Sequence, residues 1–244
     1  DGIIYSIVSL IQPSAGMHVI EIGPGLGALT RPLLRNLDQL DLLEIDRDLV
    51  AYWNQQNLQG LKVIEGDALQ FDFLAWAKNR EGRTGLCKVV GNLPYNISSP
   101  LLFHLVSAAN EIDEQVFMLQ AEVVERMVAA AGSSDFSRLS VMLQARYDME
   151  QVLEVPPEAF DPAPKVESAF VRCVPHETLP YPAKNEALLA KLVTAAFGQR
   201  RKTLRNTLKE YLDDAGFTAV GIDSGLRAEN LSVEQFVSIA NFLA

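Results

Sequence analysis

Asn92, Pro94 and Tyr95 carry groups suited to holding a planar amine. They form Asn92-Leu93-Pro94-Tyr95, directly after the mostly apolar run Lys88-Val89-Val90-Gly91. That run predicts a buried strand of a parallel sheet. In open α/β sheets ligands bind just past the carboxyl ends of the strands. Asn92 offers a neutral carbonyl acceptor and an amide donor. Pro94 fixes φ, lacks an N–H and leaves its carbonyl free to accept. Tyr95 supplies a flat aromatic face. Adenine is a ligand that such parts can hold. Asn and Pro are also common turn residues, so by itself the stretch reads equally well as a turn closing a strand.

Three further strand ends carry related signals. Met17 to Ile22 predicts a strand, and Gly23-Pro24-Gly25-Leu26-Gly27-Ala28-Leu29-Thr30 then predicts a turn running into a helix through Leu37. Glycine lets backbone approach a ligand closely, and a helix start favours negative or polar ligand groups. Read as Gly23-x-Gly25-x-x-Ala28, the turn satisfies the loose dinucleotide fingerprint and indicates a nucleotide-like cofactor, no more. The second strand, Leu40 to Ile45, brings Glu44 21 residues after Gly23. An acidic group at about that distance can accept hydrogen bonds from ribose hydroxyls. The competing role is to cap the helix expected near Arg47, for which Asp46 is better placed. Asp67, after a third strand at Leu61 to Ile64, can accept from an adenine amino group or simply close a turn.

The elements that must position these residues follow in order. Ile3, Ile4, Ile7, Val8 and Ile11 have helical spacing, and Gln12-Pro13 ends that helix. Beyond the Asn92 loop come a helix at Pro100 to Ala109 and a fifth strand at Gln115 to Leu119. Helices are expected around Glu122–Ala131 and Ser137–Tyr147, then strands at Gln151–Val155 and Ser168–Val174. Between these two strands lies a proline-rich loop, Pro156 to Val166, with Phe160 inside it; the residues alone favour a plug for the core over a stacking platform. Pro175, Pro180 and Pro182 mark a linker. After it the apolar spacing is helical only, from Leu188 to Ala240. This region holds Gln199 to Lys209, in which Arg200, Arg201, Lys202, Arg205 and Lys209 occur with no acid. A charge run is usually a solvated helix face, but in an acidic chain this one points to phosphate binding.

Net charge is −10, which argues against non-specific nucleic-acid binding by the whole surface. Residues 184–244 nevertheless carry +1, leaving −11 on residues 1–183, so a polyanion has to dock on a local patch. No apolar run reaches about 18 residues, so no transmembrane helix is expected. Cys87 and Cys173 read as small core residues, and His18, His104 and His176 lack metal-ligand spacing; no metal is expected. A reducing, cytoplasmic setting and a monomer fit these features. No signal peptide is evident, and the start at Asp1 suggests a missing N-terminal piece.

Taken together, Glu21-Ile22-Gly23-Pro24-Gly25-Leu26-Gly27, Glu44-Ile45-Asp46, Gly66-Asp67-Ala68, Gly91-Asn92-Leu93-Pro94-Tyr95-Asn96-Ile97-Ser98 and Phe160-Asp161-Pro162-Ala163-Pro164-Lys165-Val166-Glu167-Ser168-Ala169 resemble the rRNA adenine dimethyltransferases. The run Phe197-Gly198-Gln199-Arg200-Arg201-Lys202 and the segment Arg227-Ala228-Glu229-Asn230-Leu231-Ser232 are similar to the KsgA (RsmA) family of rRNA adenine N6,N6-dimethyltransferases rather than to the Erm branch. The resemblance covers nearly the whole chain. It implies a Rossmann-like α/β S-adenosylmethionine-dependent methyltransferase domain, at residues 1–178, and a small all-helical RNA-binding domain at 179–244. It implies Gly23, Gly25, Glu44, Ile45, Asp67, Ala68 and Asn92 as cofactor-binding residues, and Asn92, Pro94, Tyr95 and Phe160 as the catalytic set. Phe160 thereby becomes a stacking face opposite Tyr95. Arg200, Arg201, Lys202 and Arg205 are implied as RNA contacts.

The implied reaction is four methyl transfers from S-adenosylmethionine, leaving S-adenosylhomocysteine, onto two adjacent adenosines in the 3′-terminal hairpin of 16S rRNA of the small ribosomal subunit. A role in subunit biogenesis is implied too. The sequence departs from the pattern in three places. It lacks the Gln-Asn-Phe-Leu segment that helps cover the cofactor, has Ala121 where relatives often carry Lys, and has Ser137 where a mobile-loop glycine is expected. Three alternatives remain: an Erm-type methyltransferase of the large subunit, a nicotinamide dehydrogenase, which leaves Asn92-Leu93-Pro94-Tyr95 unexplained, and an assembly factor whose binding matters more than its chemistry.

Overall fold

The computed structural model describes residues 2–159 and 166–244. The chain forms two compact units, one of the chain up to Val124 with Met149–Pro175, the other of Glu125–Asp148 with His176–Ala244.

The first unit is built on a seven-stranded sheet. Its strands are β1 (His18–Ile22), β2 (Leu40–Glu44), β3 (Leu61–Glu65), β4 (Cys87–Asn92), β5 (Glu114–Gln120), β6 (Tyr147–Val155) and β7 (Ser168–Pro175), in the order β3-β2-β1-β4-β5-β7-β6. Strands β1 to β5 pair in parallel, and β7 is antiparallel to β5. Every residue of β1 and β2 is buried, as expected for strands covered on both faces. On one face, α1 (Gly2–Ile11), α2 (Thr30–Leu34) and α3 (Arg47–Gln55) contribute Ile7, Leu33 and Trp53 to a cluster with Val19, Leu42 and Val90. The intervening Ile20, Leu43 and Val89 are equally buried, because successive strand residues alternate faces. Beyond β3, α4 (Phe73–Lys78) packs its Phe73 ring edge-on to His104 of α5 (Ser98–Leu105), with centroids 5.7 Å apart. Residue spacing gives no indication of α4, whose six residues are fewer than two helical turns.

The chain visits β1, β2 and β3 moving outward on one side, then returns to place β4 and β5 on the other. The strand order therefore reverses between β1 and β4, and a crevice opens there at the carboxyl ends. Ile22 pairs with Gly91 across that point, so the turn after β1 and the loop after β4 leave the sheet side by side. A Cβ on Gly91 would lie 2.5 Å from the Ile22 carbonyl oxygen, so this close approach of two backbones requires glycine.

The amino-terminal edge of the sheet holds His18, which is fully buried and stacked on Trp76 with centroids 4.0 Å apart. Arg83 Nη1 lies 2.6 Å from His18 Nδ1 and pairs with Asp41 at 3.3 Å. Because a guanidinium can only donate, Nδ1 accepts and Nε2–H donates to the Trp76 carbonyl at 3.0 Å. Burial, ahead of the neighbouring arginines, lowers the His18 pKa. This histidine holds the fold together, at the strand ends opposite the crevice. Cys87 and Cys173 are buried, and burial pushes both thiols up to about 12.

The second unit is helical: α7 (Arg138–Gln144), α8 (Glu186–Phe197), α9 (Leu204–Thr207), α10 (Asp214–Ala219) and α11 (Val233–Leu243), with α6 (Ala121–Val128) starting in the first unit and ending here. Phe136, Val141 and Ala145 share one core with Leu189, Leu192, Leu204, Phe217 and Phe236. The units thus differ from the division at 178/179 read from the sequence: residues 125–148 group with the later helices, and Phe136, Val141 and Ala145 lie in their core. Chain order does not reveal which helices share a core. α7 also ends at Gln144 and β6 begins at Tyr147, both earlier than the helix and strand limits expected from spacing. Ser137 has φ −147° as the residue capping α7, an extended conformation that needs no glycine.

Candidate active site

The turn after β1 is held by α3. Trp53 Nε1 donates to the Gly25 carbonyl at 2.9 Å. The Trp53 ring occupies the space beside Gly27, where an added Cβ would come within 2.4 Å of it, and Gly27 has φ +92°. Gly25, at φ +55°, has open space in front of its Cα. The turn therefore offers bare backbone on its outer side and a packed aromatic beneath. Nothing in the sequence singles out Trp53; its position within an amphipathic helix predicts only a core residue. α2 is five residues long and stops at Leu34, short of the expected Leu37. A helix of five residues adds little dipole to the turn before it.

Asp46, not Glu44, takes the capping role. Asp46 caps α3, its Oδ1 accepting from Asp48 N at 2.8 Å and Leu49 N at 3.3 Å. Glu44 is 6% exposed, and its Oε1 accepts from the Ile45 and Asp46 N–H groups, each at 2.9 Å. Among the described residues no cation pairs with Glu44, and its Oε2 has no partner. A fixed, nearly buried carboxylate with a spare oxygen fits a ribose diol. Beside it Ile45 is exposed, an apolar side chain available to a flat ring. Asp67 is engaged locally: Oδ1 accepts from Leu69 N at 2.9 Å and Oδ2 from Gln70 Nε2 at 3.1 Å. It closes its own turn, with Ala68 buried next to it, and has lone pairs left for a further donor.

The loop after β4 is anchored by Leu93, which is buried and donates to the Met118 carbonyl at 3.1 Å. Asn92 is exposed, and its amide has no partner among the described residues. A Cβ on Gly23 would stand 3.8 Å from the Asn92 carbonyl oxygen, so the glycine turn and this loop are neighbours. The Pro94 carbonyl accepts from Ile97 N at 3.1 Å and, at a long 3.5 Å, from Ser98 Oγ, whose shorter bond goes to the Tyr95 carbonyl at 2.9 Å. Tyr95 is 40% exposed, and its hydroxyl lies 3.2 Å from Ser168 Oγ. Phe160 lies outside the described residues. A cavity of about 550 Å³ borders Asn92, Ala28, Leu29, Met118, Glu158 and Phe170. A larger hollow of about 610 Å³ lies in the second unit, between Lys209 and Phe242, and holds none of the predicted site residues.

Glu21, in the sequence no more than part of a motif, is 2% exposed, and its Oε2 has no hydrogen-bond partner. Burial pushes its carboxyl up to about 7, with the Thr30 side chain opposing the shift.

The basic run is a turn rather than a helix face. Gln199 to Thr203 link α8 to α9, and only Arg205 of the four predicted contacts lies in a helix. Arg200 Nη2 donates to the Ser134 carbonyl at 2.6 Å. Arg205 pairs with Asp214 at 3.1 Å, a surface bridge of little worth. Arg201 and Lys202 are exposed, with no partner among the described residues.

The model of the family described as ribosomal RNA adenine dimethylase matches residues 1–244. The chain belongs to that family. Ribosomal RNA small subunit methyltransferase A of Methylobacillus flagellatus is 57% identical over 244 residues, covering 100% of this chain and 93% of the relative. The protein of the same name from Thiobacillus denitrificans is 53% identical over 248 residues, with coverages of 100% and 93%. A dimethyladenosine transferase from Plasmodium falciparum, solved as a crystal structure, superposes with TM-score 0.77 at 26% identity, covering 98% of this chain and 94% of the other. The fold also matches the 23S rRNA methyltransferase ErmE, at TM-score 0.70 and 22% identity, with coverages of 99% and 97%.

As a ribosomal RNA adenine dimethylase, the chain is an S-adenosylmethionine-dependent rRNA adenine-N6,N6-dimethyltransferase of Rossmann-like fold. The residues present fit that cofactor. The open backbone at Gly25, the Glu44 carboxylate with one oxygen spare among the described residues, and the exposed Ile45 follow the carboxyl ends of the neighbouring strands β1 and β2, though none of them borders the cavity at Asn92. When bound, the cofactor supplies an electrophilic methyl group. Among the described residues no helix is long and apolar enough to cross a membrane.

Proposed function

We propose that this enzyme dimethylates N6 of two adjacent adenosines in the 3′-terminal hairpin loop of 16S rRNA, within the small ribosomal subunit, and that it also serves subunit biogenesis. The observation that carries the chemistry is the unengaged Asn92 amide at the switch point, beside Gly23. Adenine N6 is a poor nucleophile because its lone pair is conjugated with the ring. In the first transfer the Asn92 side-chain carbonyl and the Pro94 carbonyl are the acceptors for the two N–H bonds; in the second, the one N–H that remains keeps one of them. Holding both aims the nitrogen lone pair, which is catalysis by positioning and preorganised dipoles. No activated side-chain nucleophile is needed. The base has to leave its stack, at a cost of a few kcal/mol. Stacking on Tyr95, and on Phe160 from the other face, offsets this by about 1–3 kcal/mol per base.

Relatives named for the small subunit, at 51–57% identity, support the choice of subunit. The experiment is transfer of labelled methyl to undermethylated small subunits, to the naked hairpin and to large subunits. Small subunits are expected to accept methyl and large subunits not; the reverse preference would refute the reading.

The helical unit is assigned the RNA-docking role, through the turn between α8 and α9. Among the described residues Arg201 and Lys202 have no partner to give up, so they are the expected phosphate contacts. Replacing both with Ala is expected to weaken small-subunit binding and to lower the log–log salt slope by about 0.7–0.9 for each phosphate no longer neutralised. Cofactor affinity is expected to stay unchanged. An unaltered slope would reduce the turn to a solvated surface.

A further inference from the structure

We infer that Ser168 is a positioning residue for the methyl transfer: its buried hydroxyl holds the Tyr95 hydroxyl and thereby fixes the plane on which the target base stacks. The inference rests on the reading that Tyr95 stacks on adenine. In the sequence Ser168 is part of the motif at residues 160–169, with no role assigned to it.

Tyr95 is gripped at both ends. At its backbone, Ser98 Oγ donates to the Tyr95 carbonyl at 2.9 Å. At its tip, the hydroxyl meets Ser168 Oγ at 3.2 Å. Ser168 is the first residue of β7, lies opposite Gln120 of β5 in the sheet register, and is 1% exposed. It is therefore held in place by the sheet, and among the described residues its hydroxyl would be a buried polar group without a partner if Tyr95 turned away. The Tyr95 ring, at 40% exposed, has no such burial of its own. An exposed aromatic tied only at its backbone keeps its side-chain rotamers. Tying the hydroxyl to a rigid strand selects one of them.

Asn92, the last residue of β4, and Tyr95, in the loop that follows, are three positions apart. Fixing the ring therefore fixes the angle between the stacking plane and the amide that aims N6. A ring free to swing would still bind the base, but over a spread of poses, few of which align the lone pair with the methyl group. The loss then falls on the transfer step.

The test is a double-mutant cycle on the full chain with undermethylated small subunits, read by single-turnover transfer. Ser168→Ala and Tyr95→Phe are each expected to slow transfer about three- to tenfold, the worth of one hydrogen bond. The cofactor KM is expected to stay within about twofold in both. Because the two groups act as one, the double variant is expected to be no slower than the slower single variant. Multiplicative slowing in the double variant, or normal transfer by Ser168→Ala, would overturn the inference. Tyr95→Ala separates the underlying reading: near-normal transfer by that variant would refute stacking on Tyr95 and the inference with it. Slow transfer by Tyr95→Ala together with a normal rate for Ser168→Ala would refute the anchor alone. Thermal melting of each variant identifies a rate loss caused by unfolding, and a Ser168→Ala loss that merely tracks melting counts against the inference.

Discussion

Asn92→Ala is expected to slow methyl transfer by about 10²–10³-fold, equivalent to roughly 2.7–4 kcal/mol, the cost of removing one preorganised polar group from a transition state. The structure gives reasons for the size and for where the loss appears. Asn92 ends β4 at the switch point, next to the backbone of Gly23. Its side chain is exposed and makes no hydrogen bond among the described residues, so truncation leaves no protein group orphaned. Leu93 remains buried and still donates to the Met118 carbonyl, so the loop keeps its course. Stability should therefore hardly change. Single-turnover transfer measured beside subunit binding checks this: the rate should collapse while affinity for cofactor and small subunit falls much less. Near-normal transfer would remove Asn92 from the catalytic set. A slow variant that still supports subunit maturation in cells would favour the assembly role over the chemical one.

The second large effect concerns the cofactor. Glu44→Ala is expected to weaken S-adenosylmethionine binding about 10- to 150-fold, which corresponds to the roughly 1.5–3 kcal/mol of a hydrogen bond to a charged group. Two things go at once. One is the spare Oε2 proposed for the ribose. The other is the Oε1 acceptor that fixes the Ile45 and Asp46 N–H groups at 2.9 Å each. Glu44→Gln separates them, because the amide oxygen can keep the backbone bonds while the charge is gone. Calorimetric titration should rank affinity as wild type, then Gln, then Ala. Unchanged affinity in folded Glu44→Ala would dismiss the ribose assignment and leave Glu44 as a brace for the start of α3.

Much of the first unit was legible in the sequence because its signals are local. A buried parallel strand reads as an apolar run, a glycine turn as closely spaced glycines, and a cap as an acid before a helix. Asp46 and Glu44 illustrate this: the cap assigned to Asp46 from its position is the one the structure contains. Local signals failed where a role depends on contacts across the chain. The basic run pointed to phosphate binding, but its spacing did not show that Gln199 to Thr203 form a turn or that Arg200 and Arg205 have partners at Ser134 and Asp214.

By itself the sequence determined most of the strands and helices of the first unit, the succession of candidate binding residues after four strands, and the confinement of a basic patch to the last quarter of the chain. Each follows from residue type and spacing, which fix backbone geometry and charge along the chain. Tertiary structure alone decided which of these residues meet. The order β3-β2-β1-β4-β5 brings Ile22 beside Gly91, so that Gly23 and Asn92, 69 positions apart, share one crevice. Folding also placed Trp53 under the glycine turn, the side chains of Phe136 and Val141 in the core of the second unit, and Ser168 against Tyr95. These contacts join residues far apart in sequence, and they are fixed by which buried surfaces fit together.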